Sequence, residues 1–225
     1  MSKTLGHQLS WMSCAKAILT GGRTRSLKTI TPCIHCHDVT AKLRQNSAKE
    51  VGAMAVILGI DPGSRKTGFG LIRLEGGKSI YVSSGIIRLP VDEPLPPRLG
   101  VLFDAINQIC DEFQPTELAI EQVFIARGPD AALKLGQARG AAMVACVQRG
   151  LAVREYSARQ IKQAVVGTGG ATKEQVQHMV KTLLALPAVP KEDAADALAA
   201  ALCHSHSSHM LKQIPAKALS RGRLR

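Results

Sequence analysis

Asp193 and Asp196 stand three residues apart in Lys191-Glu192-Asp193-Ala194-Ala195-Asp196-Ala197-Leu198, so on a helix both carboxylates leave one face. Acids near a helix start also suit its dipole, which explains one carboxylate better than a facing pair. Asp61 ends the apolar run Ala55-Val56-Ile57-Leu58-Gly59-Ile60, and Glu121 ends Glu117-Leu118-Ala119-Ile120-Glu121. Taken singly, Asp61 fits the first position of a turn with Pro62 next, and Glu121 fits a loop cap. Taken together, acids at neighbouring strand ends can share a cation, because ligands gather at the carboxyl ends of strands in open α/β sheets. Small Ala194, Ala195 and Ala197 would let the helix pack closely and bring its pair to the strand-end acids. Converging carboxylates repel one another unless cations sit between them, and hard oxygen donors select Mg²⁺ or Mn²⁺. Two such ions suit in-line hydrolysis of a phosphodiester.

The elements that must position these acids follow from periodicity. Residues 55–60 are nearly all apolar, as in a strand buried inside a sheet, and Asp61-Pro62-Gly63 signals a turn. Residues 67–73 and 79–88 have strand composition and should return beside the first strand as a meander. Pro96-Pro97 opens a helix through Leu99, Leu102, Phe103, Ile106, Ile109 and Cys110, which ends near Gln114-Pro115. A short strand at 117–121, a long helix at 129–149 and a strand at 152–156 come next. Helical pieces are expected at about 158–165, 172–186 and 191–205. The pattern predicts an α/β fold, a mixed sheet flanked by helices.

The charge balance narrows the partners. Of the 225 residues, 29 are Lys or Arg and 17 Asp or Glu, a net charge of +12 that attracts polyanions such as nucleic acid. Residues 1–53 carry eight basic and two acidic residues and lack sustained periodicity, so they read as a disordered basic extension or a mis-assigned start, with an organellar targeting segment as an alternative. Residues 54–225 form the folded part and end in a basic tail from Leu211. No apolar run reaches the roughly 20 residues that a membrane helix needs. The six cysteines lack framework spacing and read as reduced cytosolic thiols. Cys33, Cys36 and His37 have metal-like spacing without a second ligand pair.

Several long motifs then occur in one order. Ile57-Leu-Gly-Ile-Asp61-Pro-Gly-Ser-Arg-Lys-Thr-Gly-Phe-Gly70, Ala119-Ile-Glu121-Gln-Val-Phe124, Ala132-Leu-Lys-Leu-Gly-Gln-Ala-Arg-Gly140 and Ala194-Ala-Asp196-Ala-Leu198 resemble the RuvC crossover junction endodeoxyribonucleases. The resemblance runs from Met54 to the end, and residues 1–53 have no counterpart in it. It implies a ribonuclease H-like fold and a cytoplasmic homodimer that resolves Holliday junctions after branch migration by the RuvA–RuvB motor. It implies Mg²⁺ dependence, with two ions expected per subunit and Mn²⁺ as a substitute. Asp61, Glu121, Asp193 and Asp196 match the family's four catalytic and metal-binding acids. Lys162 and Lys173 match lysines that serve DNA binding near the scissile phosphate, and Phe124 matches a Phe that meets junction bases.

Each of these matches has a plainer reading beside it. Most lysines are solvated, although Thr172 is a plausible N-cap that would aim Lys173 from a helix's first turn. A loop Phe is often a lid on the core, whereas stacking suits unstacked bases. Ala132, Gly136 and Gly140 permit close helix approach, either at a dimer contact or onto the sheet; Lys134 and Arg139 rule out a membrane setting. His204, His206 and His209 read as solvated residues at a frayed helix end. Other ribonuclease H-like nucleases, including RNA-directed ones, share the same physics. A junction-binding protein without cleavage would normally lack one acid. Actin-like ATPases are usually longer and two-domained, and Gly167–Glu174 lacks the order of a P-loop.

Overall fold

Period-2 alternation along two neighbouring strands decides which face carries the acids. In the computed structural model, which describes residues 55–122 and 128–213 with side chains through 208, β1 spans Val56–Asp61. The extension 1–53, the Cys33, Cys36 and His37 group, Phe124 and the His209 side chain lie outside these residues. β2 (Lys66–Glu75) and β3 (Lys78–Arg88) return antiparallel to β1, as the meander predicted. α1 (Leu95–Phe113) leads to β4 (Glu117–Glu121), and α2 (Pro129–Gln148) crosses over to β5 (Ala152–Tyr156). The sheet order is β3-β2-β1-β4-β5, with β1, β4 and β5 parallel. Three helices complete the fold: α3 (Ala158–Val166), α4 (Lys173–Leu183) and α5 (Glu192–Gln213).

Leu58 and Ile60 of β1 and Leu118 and Ile120 of β4 face a core built with α1 and α2. Ile57 and Ala119 face the other core, built with α3, α4 and α5. Because side chains alternate, Asp61 and Glu121 point to the same side as Ile57 and Ala119. That is the α5 side.

α5 is buried almost all round between the sheet and the helices α3 and α4, so it shows no single apolar stripe. It lies unusually close to the sheet. Gly59 and Gly70 are cross-strand partners on β1 and β2, and Gly68 lies opposite Asp61. A Cβ on Gly59 would stand 2.0 Å from the Ala197 carbonyl oxygen, and one on Gly68 would stand 1.9 Å from that of Asp193. The alanines of α5 alone do not create this approach. Three strand glycines supply the other half of the contact.

Local chemistry sets the remaining ends. Ser157 with Gln160 and Thr172 with Gln175 form capping boxes at the starts of α3 and α4, so Thr172 is the cap expected. α5 continues well past the expected end near 205, to Gln213. This revises the histidines: His204 is buried, not solvated. Its Nε2–H donates to Glu117, and its Nδ1 accepts from the Tyr156 hydroxyl at 2.6 Å. His206 Nδ1 donates to the Ala164 carbonyl at 3.0 Å. Cys110, Cys146 and Cys203 are buried free thiols.

Candidate active site

Asp61 leaves the end of β1 where the backbone turns back into β2. That turn is held from within: Gly63 N–H donates to the Thr67 hydroxyl oxygen at 3.2 Å, and that hydroxyl donates to the Gly63 carbonyl at 3.1 Å. Arg98 of α1 adds a bond to the Ser64 carbonyl at 3.1 Å. Glu121 is fixed from the opposite layer, since Arg139 Nε of α2 donates to its carbonyl at 3.0 Å. No local pattern marks Arg98 or Arg139 as supports, because each reaches to a backbone oxygen distant along the chain.

Asp61, Glu121 and Asp196 line one open cleft of about 320 Å³ together with Lys162, Lys173, Ala158, Ile161 and Val176. Five of the expected site residues therefore meet. Asp193 is placed differently. It sits at the start of α5 beside this group, but its Oδ2 accepts from Lys66 Nζ at 2.7 Å. Lys66 is a neighbour that sequence reasoning missed, 127 residues away along the chain. Lys173 likewise pairs with Glu192, a second acid from the first turn of α5. Phe124, the remaining expected residue, lies outside the described residues.

The electrostatics of the cleft are those of crowded acids. Burial pushes the Asp61 carboxyl up to about 8, with further upward pressure from Asp196, Glu121 and Asp193 and a downward pull from Lys173. Burial also raises Glu121, helped by Asp196 and opposed by Lys162 and Lys173. Asp196 is raised by burial against the pull of Lys173 and Lys162. The ion pair with Glu192 raises the Lys173 ammonium, so this lysine stays charged. Desolvated carboxylates with only two lysines to balance them are a donor set suited to a hard divalent cation. The side chains ring the cleft without closing on one point: among the described residues no three Asp, Glu, His or Cys groups are close enough to hold an ion as they stand.

A mixed sheet in the order β3-β2-β1-β4-β5, with acids on adjacent strand ends and on the closing helix, defines the ribonuclease H-like class of nucleases. The family model for the crossover junction endodeoxyribonuclease RuvC matches residues 57–204. The chain belongs to that family. A RuvC from Tolumonas auensis is 59% identical over 174 residues, which is 76% of this chain and 100% of the relative. One from Marinobacter nauticus is 62% identical over 153 residues, or 68% of this chain and 87% of its own. The structure of Thermus thermophilus RuvC in complex with a Holliday junction substrate superposes with a TM-score of 0.66 at 34% identity, covering 70% of this chain and 96% of that one.

Proposed function

We propose that the chain is a Mg²⁺-dependent, structure-specific endonuclease that resolves Holliday junctions by paired, symmetry-related nicks in recombination and repair. The observation that carries this reading is the cleft where acids from β1, β4 and α5 face Lys162 and Lys173. Their oxygen-only chemistry fits two Mg²⁺ ions, or Mn²⁺ in their place. Asp61, Glu121 and Asp196 would hold them, joined by Asp193 once it leaves Lys66. When bound, such cations supply Lewis-acid activation of water and stabilise the departing oxygen.

The chain's own residues do the rest. Lys162 and Lys173 draw the phosphate backbone toward the acids, which would otherwise repel it. The capping box at Thr172 fixes the first turn that carries Lys173, and Glu192 holds the ammonium at the cleft. Ala158, Ile161 and Val176 form an apolar wall that strengthens each charge interaction by lowering the local dielectric. Phe124, three residues beyond Glu121, is proposed to stack on bases unpaired at the crossover.

The dimer reading draws support from α2. Its inner face is Ala138, Ala142, Ala145 and Cys146, so Gly136 and Gly140 do not serve sheet packing. The outward side shows Leu133, Val144 and Val147, 67%, 51% and 41% exposed, in one row with those glycines. A two-fold pair through this row would present two clefts to a substrate of approximate two-fold symmetry. We place this dimer in the cytoplasm, acting on four-way junction DNA after the RuvA–RuvB motor. No helix among the described residues is long and apolar enough to cross a membrane.

Incubation with Mg²⁺ and either a four-way DNA junction or an RNA–DNA hybrid tests the substrate class. Cleavage of the junction is expected, and Asp61→Asn, Glu121→Gln, Asp193→Asn and Asp196→Asn should each abolish most of it while junction binding survives. Preferential cutting of the hybrid would favour an RNA-directed nuclease instead. Near-normal cleavage by any one variant removes that residue from the site.

A further inference from the structure

Lys66 lies directly opposite Arg88 in the antiparallel register of β2 and β3. Like charges so paired destabilise a sheet unless something anionic sits between them. Arg65 adjoins them, and the Leu89 N–H donates to the Arg65 carbonyl at 3.0 Å, tying the strand ends together. Arg65, Lys66 and Arg88 line a second cleft of about 530 Å³ with Leu89 and Val91, and no acid lines it. Among the described residues neither guanidinium has a carboxylate partner, and Lys66 has only Asp193. Two guanidiniums without a carboxylate partner among the described residues and the exposed Lys66 ammonium form a binding surface for a phosphate oxygen, which all three can share. Lys66 therefore stands between the two clefts: it lines the basic one, and its ammonium pairs with Asp193 beside the acidic one.

We propose that the Arg65–Lys66–Arg88 cleft takes a backbone phosphate of the DNA, and that Lys66 exchanges Asp193 for this phosphate as the strand docks. This inference rests on the nuclease reading above. The exchange is physically cheap, because one ion pair breaks as another forms. The Lys66 side chain is 54% exposed and free to swing, whereas Asp193, 17% exposed, is anchored on α5. Released from Lys66, Asp193 completes the carboxylate group with Asp61, Glu121 and Asp196. DNA docking thus raises the cation affinity of the acids, and by linkage the cation raises the affinity for DNA. A free enzyme binds metal weakly until its substrate is in place.

The test uses the full chain and two readouts that need no turnover. Mn²⁺ binding to the DNA-free protein, followed by calorimetry, should tighten about two- to fivefold in Lys66→Gln, the value of a partly exposed ion pair. Arg65→Gln removes the same charge without freeing Asp193 and should change Mn²⁺ binding less. In EDTA, Lys66→Gln and Arg88→Gln should each weaken four-way junction binding and lower its salt slope by about one. Equal Mn²⁺ affinities in wild type and Lys66→Gln, or equal gains in Lys66→Gln and Arg65→Gln, overturn the exchange. An unchanged salt slope in Arg88→Gln overturns the phosphate cleft. If the variants are silent while the wild type binds and cuts the junction, the cleft proposal alone fails; a wild type that leaves the junction intact overturns the nuclease reading beneath it.

Discussion

Replacing Gly68 by alanine tests whether strand glycines set the distance between the helix-borne and strand-borne acids. The new methyl carbon would stand 1.9 Å from the Asp193 carbonyl oxygen, whereas ordinary contact begins near 3.4 Å. The neighbour is helix backbone, which cannot rotate away as a side chain would, so the first turn of α5 must retreat by more than an ångström. Overpacking of this kind costs about 1–3 kcal/mol. Alanine's lower chain entropy in a strand returns only about 0.5–1 kcal/mol. At about 2–4 °C per kcal/mol for a chain of this length, melting should fall by several degrees. Activity should fall further, since a displacement of about 1 Å in a reacting group can cost roughly a hundredfold. Gly100→Ala in α1 is the control, because a Cβ there meets nothing within 4 Å and should stabilise the helix by about 0.5–1 kcal/mol. Thermal melting and single-turnover junction cleavage supply the two numbers. Wild-type melting and cleavage in Gly68→Ala would refute the close approach of α5 and the positioning role assigned to it.

Three further outcomes are expected. With metal chelated, Asp61 binds more protons folded than unfolded between its ordinary value of 3.8 and about 8, so stability falls as pH rises through that window. Asp61→Asn should flatten this slope and exceed wild type by about 1–2 kcal/mol at pH 8 after allowing for solvent screening, as chelator melts at pH 5 and 8 would measure; parallel curves for the two proteins would contradict it. Leu133→Asp places a charge in the exposed row on α2 and should shift sedimentation toward monomer, with nicked circles replacing linear product on a cruciform plasmid. Retention of a dimer moves the interface elsewhere. A chain beginning at Met54 should unfold cooperatively and cut junctions normally, and loss of either property would give residues 1–53 a role.

Local spacing determined much of this protein. Apolar runs, turn residues and caps placed the strands and the helices within a few residues, except the end of α5, which runs to Gln213 rather than near 205, and Thr172 caps α4 as its position implied. Asp61 and Glu121 were legible at strand ends because a strand boundary and a turn are short-range features. Their shared orientation also follows from period 2, once β1 and β4 are known to be neighbours. That adjacency belongs to the tertiary structure, as does every contact made across it. Gly59, Gly68 and Gly70 look like ordinary weak points in strands until α5 is seen against them. His204 looked exposed because its partners, Glu117 and Tyr156, come from strands 87 and 48 residues away. The pairing of Lys66 with Asp193 spans 127 residues and redirects one of the expected acids. Residue type and local period fix which groups can do chemistry, since both act over a few bonds. Which groups meet depends on the layering of a sheet and its helices, and only the folded chain supplies those distances.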